Sequence, residues 1–175
     1  MDFLIISSCL SDTSKSYHLS EEALSYLHSL GYSGQHICMQ NYPLPLCGTK
    51  ESFTSPMVGE LKEIINSASA IILSTPIYNY DCNAVAKNMI ELTGSAWSNK
   101  VVGFLCMAGG EKSYMSILSL ANSLMLDFRC LIAPQFVYVT SNAFRDHVLE
   151  QSFVQAFDSL LVQRRCSHAL QACQL

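Results

Sequence analysis

Short, continuously apolar runs constrain this chain most: FLII at 3–6, AIIL at 70–73 and VVGFLCM at 101–107, each followed by a polar loop and then a segment of helical spacing. A strand with one wet face alternates apolar and polar residues, so an unbroken run such as 3–6 belongs to a strand covered on both faces. Right-handed crossovers between successive strands place helices on both sides of such a sheet. The pattern predicts an α/β protein, a three-layer sandwich around a parallel sheet built from five strand–helix units. At 175 residues the chain forms one domain over its whole length, with a core that needs no metal or disulfide staple.

Taken in order, a polar turn over 7–16 follows the first strand. Leu19, Ala23, Leu24 and Leu27 then recur at helical steps up to Gly31, which has the place of a helix-terminating glycine. QHICMQ at 35–40 is the second strand, and 41–55, with Pro43, Pro45, Cys47 and Gly48, is a long loop. Ser55 and Pro56 read as the cap and first residue of the next helix, with Val58, Leu61, Ile64 and Ile65 as its apolar face. Residues 84–92 are helical. Residues 113–128 form a helix with apolar residues around most of its circumference, Leu120 and Leu124 among the outward ones. The fifth strand, around 131–139, is interrupted or delayed by Pro134, because proline cannot donate to a ladder. A last amphipathic helix runs from 145 to about 167.

Composition excludes several classes. A net charge of −4 with 14% charged residues leaves no basic face for nucleic acid. The eight cysteines form no C-x-x-C pair, which removes zinc and thioredoxin-type readings, and the five histidines form no cluster, so no metal site is expected. No apolar stretch reaches membrane-spanning length and the N-terminus has no signal-peptide pattern, so a soluble cytoplasmic protein with reduced, mostly buried thiols is expected.

The chemistry gathers at residues 74–91, STPIYNYDCNAVAKNMIE, read as a strand end, a turn and a helix start. In an open parallel sheet, ligands sit beyond the carboxyl ends of the strands, where a helix N-terminus offers unpaired N–H groups. Pro76 fixes one torsion, and Tyr78, Asn79 and Tyr80 place two flat rings and an amide beside exposed backbone, a setting suited to a flat heterocycle with carbonyl edges. A simple turn is the plainer reading, since asparagine tolerates left-handed backbone. Lys87 and Asn88 either fix the loop or meet a second subunit.

Pro76-Ile77-Tyr78-Asn79, then seven residues, then Lys87-Asn88-Met89-Ile90-Glu91 resembles the P-x-Y-N…K-N-x-I-[D/E] signature of the NADPH-dependent FMN reductases, which are flavodoxin-like proteins. The serine-rich turn after the first strand, the glycine loop after the fourth and Ala133-Pro134 before the last extend the likeness over most of the chain. The resemblance implies sheet order 2-1-3-4-5, FMN at the switch point between the first and third strands, and NADPH or NADH as co-substrate. Ring contacts would fall to Pro76, Ile77, Tyr78, Asn79 and Tyr80, and to the backbone of Ala108, Gly109 and Gly110. Ser8, Thr13, Ser14 and Ser16 would offer hydroxyls to the phosphate and Lys15 one charge, although the same serines could simply cap the first helix. There are three departures from the family: Leu10 stands where an arginine is usual, Tyr80-Asp81 where small residues are, and Asn83-Ala84 where Pro-Gly is.

Because the cofactor carries the reactivity, no catalytic side chain is expected. The electrons would pass to a small-molecule acceptor such as a flavin or quinone. The resemblance also implies a homodimer or homotetramer, formed by 84–92 and 113–128 and walling the flavin pocket. Two alternatives stand beside this reading. One is a non-enzymatic flavodoxin-like electron carrier or FMN-binding protein. The other is a hydrolase resembling low-molecular-weight tyrosine phosphatases, from Cys9 and the Lys15-Ser16 pair, where lysine replaces the arginine that would grip a phosphoryl group.

Overall fold

Strand β1 (Phe3–Ser7) is buried at every residue, as its unbroken apolar run requires. Phe3 and Ile5 belong to one core and Leu4 and Ile6 to the other, so the run feeds both faces of the sheet. The computed structural model describes residues 1–145 and 148–149. Within them β1 lies between β2 (Gly34–Cys38) and β3 (Ala70–Tyr78), both parallel to it. β3 pairs in turn with β5 (Val101–Ala108), and β5 with the short β6 (Leu131–Ile132) and β7 (Val137–Thr140), all parallel. A further strand, β4 (Asp81–Cys82), folds back antiparallel on the end of β3.

The sheet therefore has seven strands rather than five, in the order β2-β1-β3-β5-β6. The expected order 2-1-3-4-5 survives as a sequence of positions: β5 is the expected fourth strand, and the expected fifth is divided into β6 and β7. The division falls at Pro134. Ala133 N–H still donates to Val102 O at 2.8 Å, and pairing resumes only where Val137 meets Leu105.

On one face lie α2 (Pro56–Ser67), α3 (Ala84–Thr93) and α4 (Leu118–Phe128), contributing Leu61, Ile65, Met89, Ile90, Leu120 and Leu124 to a core with Leu4, Ile71, Leu73 and Phe104. On the other, α1 (Lys15–Ser29) packs Leu19, Ala23 and Leu27 against Phe3, Ile5, Ile72 and Val139. Each such side chain taken out of water contributes roughly 1.5–3 kcal/mol before the entropy of ordering is set against it. Trp97 is wholly buried, and its indole N–H donates to Thr93 Oγ1 at 2.7 Å, so its one polar atom is satisfied. No helix among the described residues is long and apolar enough to cross a membrane.

Four expectations need correction. β3 does not stop at Leu73 but runs through Pro76 to Tyr78. Proline is tolerated because β1 ends at Ser7, opposite Ser74, whose carbonyl faces β1 and accepts from Ser8 N–H. Two residues on, the missing donor of Pro76 points to the same, now vacant, side. The helix expected over 113–128 is a 3-10 stretch at Glu111–Ile117, with non-helical backbone at Ser113, followed by α4. Leu120 and Leu124 are not outward but lie in the core; the exposed apolar residues are Tyr114, Met115, Leu118, Met125 and Leu126. The helix expected from 145 begins wrongly, since β8 (Phe144–Arg145) and β9 (Val148–Leu149) form an antiparallel ladder. The rest of that expected helix lies outside the described residues. Ser55 does hold the N-cap position of α2, but its side chain makes no capping hydrogen bond.

Candidate functional site

The carboxyl edge of the sheet is stepped. β1 ends level with Ser74, while β3 and β5 continue side by side, Pro76 opposite Met107. At about 3.3 Å per residue, Tyr78 stands roughly 13 Å beyond the end of β1. The chain reverses there through a two-residue turn, Asn79-Tyr80, with both φ angles positive (52° and 63°). Positive φ at both central residues is the backbone of the tight hairpin turn usually written Asn-Gly. Asparagine accepts it. A tyrosine in left-handed backbone carries roughly 1–2 kcal/mol of strain.

Between this turn and the loop after β5 lies a cleft of about 530 Å³, lined by Ile77, Asn79, Tyr80, Gly109, Gly110, Glu111, Lys112 and Ser113. Neither glycine has a positive φ, and a Cβ built on either would meet nothing within 4 Å. Neither backbone strain nor crowding within the chain requires glycine there. What the missing side chains leave is open space along the cleft, the kind of cradle a flat ligand edge can occupy. Tyr138 on β7 anchors that wall: its hydroxyl donates to Gly110 O and lies 2.8 Å from Ser113 Oγ.

Of the expected ring contacts, the structure thus brings Ile77, Asn79, Tyr80, Gly109 and Gly110 together. Pro76 and Ala108 are buried in their strands, and Tyr78, exposed, does not line the cleft.

The serine-rich loop sits lower, at the foot of the step. Ser8 is buried, and both its N–H and its hydroxyl donate to Ser74 O (2.9 and 3.2 Å), so that hydroxyl is already engaged. Ser14 caps α1, accepting from Tyr17 N–H at 3.1 Å, with Ser16 Oγ 3.1 Å from it. The capping reading is therefore realised at Ser14. Thr13 is exposed and hydrogen-bonded to Ser11 (2.8 Å). Lys15 does not reach into the loop: its ammonium donates to Ser141 O at 3.3 Å and sits 5.9 Å from the Phe144 ring centre. Of the first-turn N–H groups of α1, that of Tyr17 is taken by Ser14, which leaves those of Lys15 and Ser16 without a partner among the described residues. Leu10 is exposed and lines a separate apolar cavity of about 440 Å³ with Met39, Tyr42, Leu44, Leu46 and Val85.

Asn83, which sequence reasoning noted only as a departure, joins the two levels. Its Oδ1 accepts from Ala86 N–H at 3.1 Å, capping α3, while its Nδ2 donates to Ser8 O at 2.7 Å. The signal was available, since asparagine immediately before a helical segment is a preferred cap. Tyr138, an ordinary strand aromatic in the sequence, carried no comparable signal. Asn88 proves to fix the long loop: Oδ1 accepts from Cys47 N–H (2.8 Å) and Nδ2 donates to Pro45 O (2.9 Å). Lys87 pairs with Glu91 at 3.7 Å on the surface.

Nothing here presents a nucleophile. Cys9 is 4% exposed, its sulfur 4.0 Å from that of Cys38, whose thiol burial pushes up. Ser7 Oγ, 2.7 Å from His36 Nε2, with His36 Nδ1 bonded to Glu21, copies the connectivity of a hydrolytic triad. Ser7 is wholly buried, however, and leaves no room for an acyl group. Both the phosphatase reading and a serine-hydrolase reading lose their nucleophile.

Comparison with known proteins bears on the family and the fold. Residues 1–144 match the profile of the family described as NADPH-dependent FMN reductase. A curated relative, the NAD(P)H-dependent FAD/FMN reductase of Geobacillus thermodenitrificans (strain NG80-2), is 25% identical over 114 residues, covering 64% of this chain and 62% of the relative. The match thus spans under two thirds of that protein's length. Among solved structures, the NADH:FMN oxidoreductase EMOB in its apo form has a TM-score of 0.76 at 17% identity, with 95% of this chain and 89% of that one covered. The NAD(P)H:(acceptor) oxidoreductase FerB from Paracoccus denitrificans has 0.70 at 17%, covering 91% and 96%. At these identities the structures speak for the fold, the flavodoxin-like sandwich, while the profile speaks for descent. The chain belongs to the NADPH-dependent FMN reductase family.

Proposed function

We propose that this protein is an NAD(P)H-dependent reductase that holds FMN with its ring in the 530 Å³ cleft and its phosphate at the first turn of α1. The observation that carries the reading is the open backbone wall at Gly109 and Gly110 facing Asn79 and Tyr80. Bound FMN would supply the redox chemistry, taking a hydride from the nicotinamide and passing electrons to a small-molecule acceptor such as a flavin or quinone. The chain's own work is placement. Backbone N–H groups at the helix start hold the phosphate, helped by the exposed hydroxyl of Thr13, while Ser14 and the buried Ser16, bonded to each other, shape the turn. Asn83 keeps that loop in register with the hairpin, and Tyr138 keeps the glycine wall in place. Since Ser8 and Lys15 are engaged elsewhere, their part is to shape the loop and its field.

The protein acts as a two-fold dimer in this proposal. The apolar surface that supports it lies along Tyr114, Met115, Leu118, Met125 and Leu126, beside the cleft-lining 111–113. The exposed side of α3 is polar, carrying Lys87 and Glu91, and would supply the rim.

Titration of FMN into the apoprotein by calorimetry, followed by anaerobic addition of NADPH to the loaded protein, tests the reading. Micromolar or tighter binding and bleaching of the flavin absorbance are expected. No heat of binding would end the flavin proposal; binding without bleaching by NADPH or NADH would leave the electron-carrier alternative.

A further inference from the structure

Two buried thiols meet where β1 and β2 end. Cys38 is the last residue of β2, Cys9 follows β1 at the start of the first loop, and both are free. Their sulfurs lie 4.0 Å apart, so a disulfide needs them only about 2 Å closer. The two are not equally placed. Cys38, though only 5% exposed, borders a polar pocket of about 370 Å³ beside β2, together with Tyr17, Glu21, His36, Tyr42 and Glu60. Cys9 does not line that pocket.

A hydrogen-bonded chain runs from the pocket to the Cys38 sulfur. His36 Nδ1 is bonded to Glu21, so with that nitrogen donating, Nε2 accepts from Ser7 Oγ, 2.7 Å away. Ser7 in turn hydrogen-bonds the Cys38 sulfur, as does the Gln40 N–H. Burial outweighs these contacts and pushes the Cys38 thiol up, so the reactive thiolate is scarce unless a base within reach takes the proton. His36, through Ser7, is such a base. Burial denies this group a phosphoryl or acyl substrate, but hydrogen peroxide has only two heavy atoms.

We propose that Cys38 is a site of oxidation by hydrogen peroxide, that His36 takes the thiol proton through Ser7, and that Cys9 resolves the product as a disulfide. The Cys38 thiolate attacks one peroxide oxygen; an S–O bond forms, the O–O bond breaks, and the departing hydroxide takes the proton held at His36 and leaves as water. Cys9 sulfur then displaces the sulfenic oxygen; the S–S bond forms, the S–O bond breaks, and a second water leaves with the Cys9 proton. Two thiols lose the two electrons that peroxide gains. None of these steps needs the flavin.

Trypsin cuts after Lys15 and Lys50, so Cys9 travels on fragment 1–15 and Cys38 on 16–50, where Cys47→Ser removes the only other cysteine. The full-length Cys47→Ser protein is treated with hydrogen peroxide, alkylated and digested without reduction. The two fragments should appear joined, lighter by two hydrogens than their sum, within minutes to hours, and should part on adding a thiol reductant. Absence of the joined fragment overturns the pairing. With Cys9→Ser added, Cys38 should persist as the sulfenic acid and be captured by dimedone; capture on Cys9 in Cys38→Ser, with none on Cys38 in Cys9→Ser, overturns the order of attack. His36→Ala should form the bond roughly 10²-fold more slowly, with partial recovery on adding imidazole, which the open pocket admits. Bond formation in His36→Ala at the parent rate overturns the relay.

Discussion

Asn83→Ala should destabilise the protein by about 1.5–5 kcal/mol, a large cost for one amide at the edge of a loop. Two separate losses make up the figure. Removing Oδ1 uncaps α3 at Ala86 N–H, and loss of an asparagine N-cap costs roughly 0.5–2 kcal/mol. Removing Nδ2 strips the Ser8 carbonyl of the 2.7 Å hydrogen bond, and an unsatisfied buried acceptor costs about 1–3 kcal/mol. Asn83 is only 7% exposed, so water does not readily replace either partner. Asn83→Asp divides the two terms. The carboxylate keeps the cap, and a negative charge suits a helix N-terminus, but an oxygen now faces the Ser8 carbonyl where a donor stood.

Urea unfolding followed by circular dichroism gives the global cost, and amide exchange across 8–14 gives the local one. Alanine should lower the midpoint most; aspartate should spare α3 but speed exchange in the first loop and weaken FMN. If alanine costs less than about 0.5 kcal/mol, the partners are reached by water and the burial argument fails. If aspartate and alanine speed exchange in neither α3 nor the first loop, Asn83 does not couple the two levels of the site.

Leu10→Arg should tighten FMN by about one to two decades and riboflavin hardly at all, since one charge-assisted contact to the phosphate is worth roughly 1.5–3 kcal/mol; equal effects on the two ligands in calorimetry would show that this loop does not hold the phosphate. Leu126→Glu, at a position 73% exposed, should leave the monomer folded but convert a dimer to a species near 19.4 kDa in light scattering, and a wild type that already runs at that mass refutes the dimer. Stability should fall as the medium becomes alkaline: burial raises the Cys82 and Cys106 thiols from 9.0 to about 12, so above pH 9 the unfolded chain sheds protons that the folded chain keeps. The urea midpoint should drop between pH 8 and 11, less steeply in Cys106→Ala, and an identical slope in that variant would contradict the assignment.

Much of the architecture follows from local chemistry, which is why it can be read without coordinates. Continuous apolar runs cannot be half-wet strands, Pro56 and Gly31 punctuate helices where their torsions allow, and Pro134 interrupts a ladder because it lacks a donor. The signature from Pro76 to Glu91 likewise identified the family, because it records a loop and a helix start close together in sequence. Tertiary structure decided what depends on neighbours far away in the chain. Pro76 looks like the end of a strand, yet β3 continues through it because β1 has already stopped on that side. In 114–126 apolar residues stand on every side, so the polar stripe of Ser116, Ser119 and Ser123 is easily outweighed, and packing is what sets Leu120 and Leu124 inward and leaves Leu118, Met125 and Leu126 outside. Ser8 and Lys15 have the chemistry of phosphate ligands, but Ser74 and Ser141, distant in sequence, already claim them. The left-handed Tyr80 could not be foreseen from composition, since its residue type argues against that backbone. It is held by the two-residue hairpin that β3 makes with β4, a local turn whose residue types do not announce it.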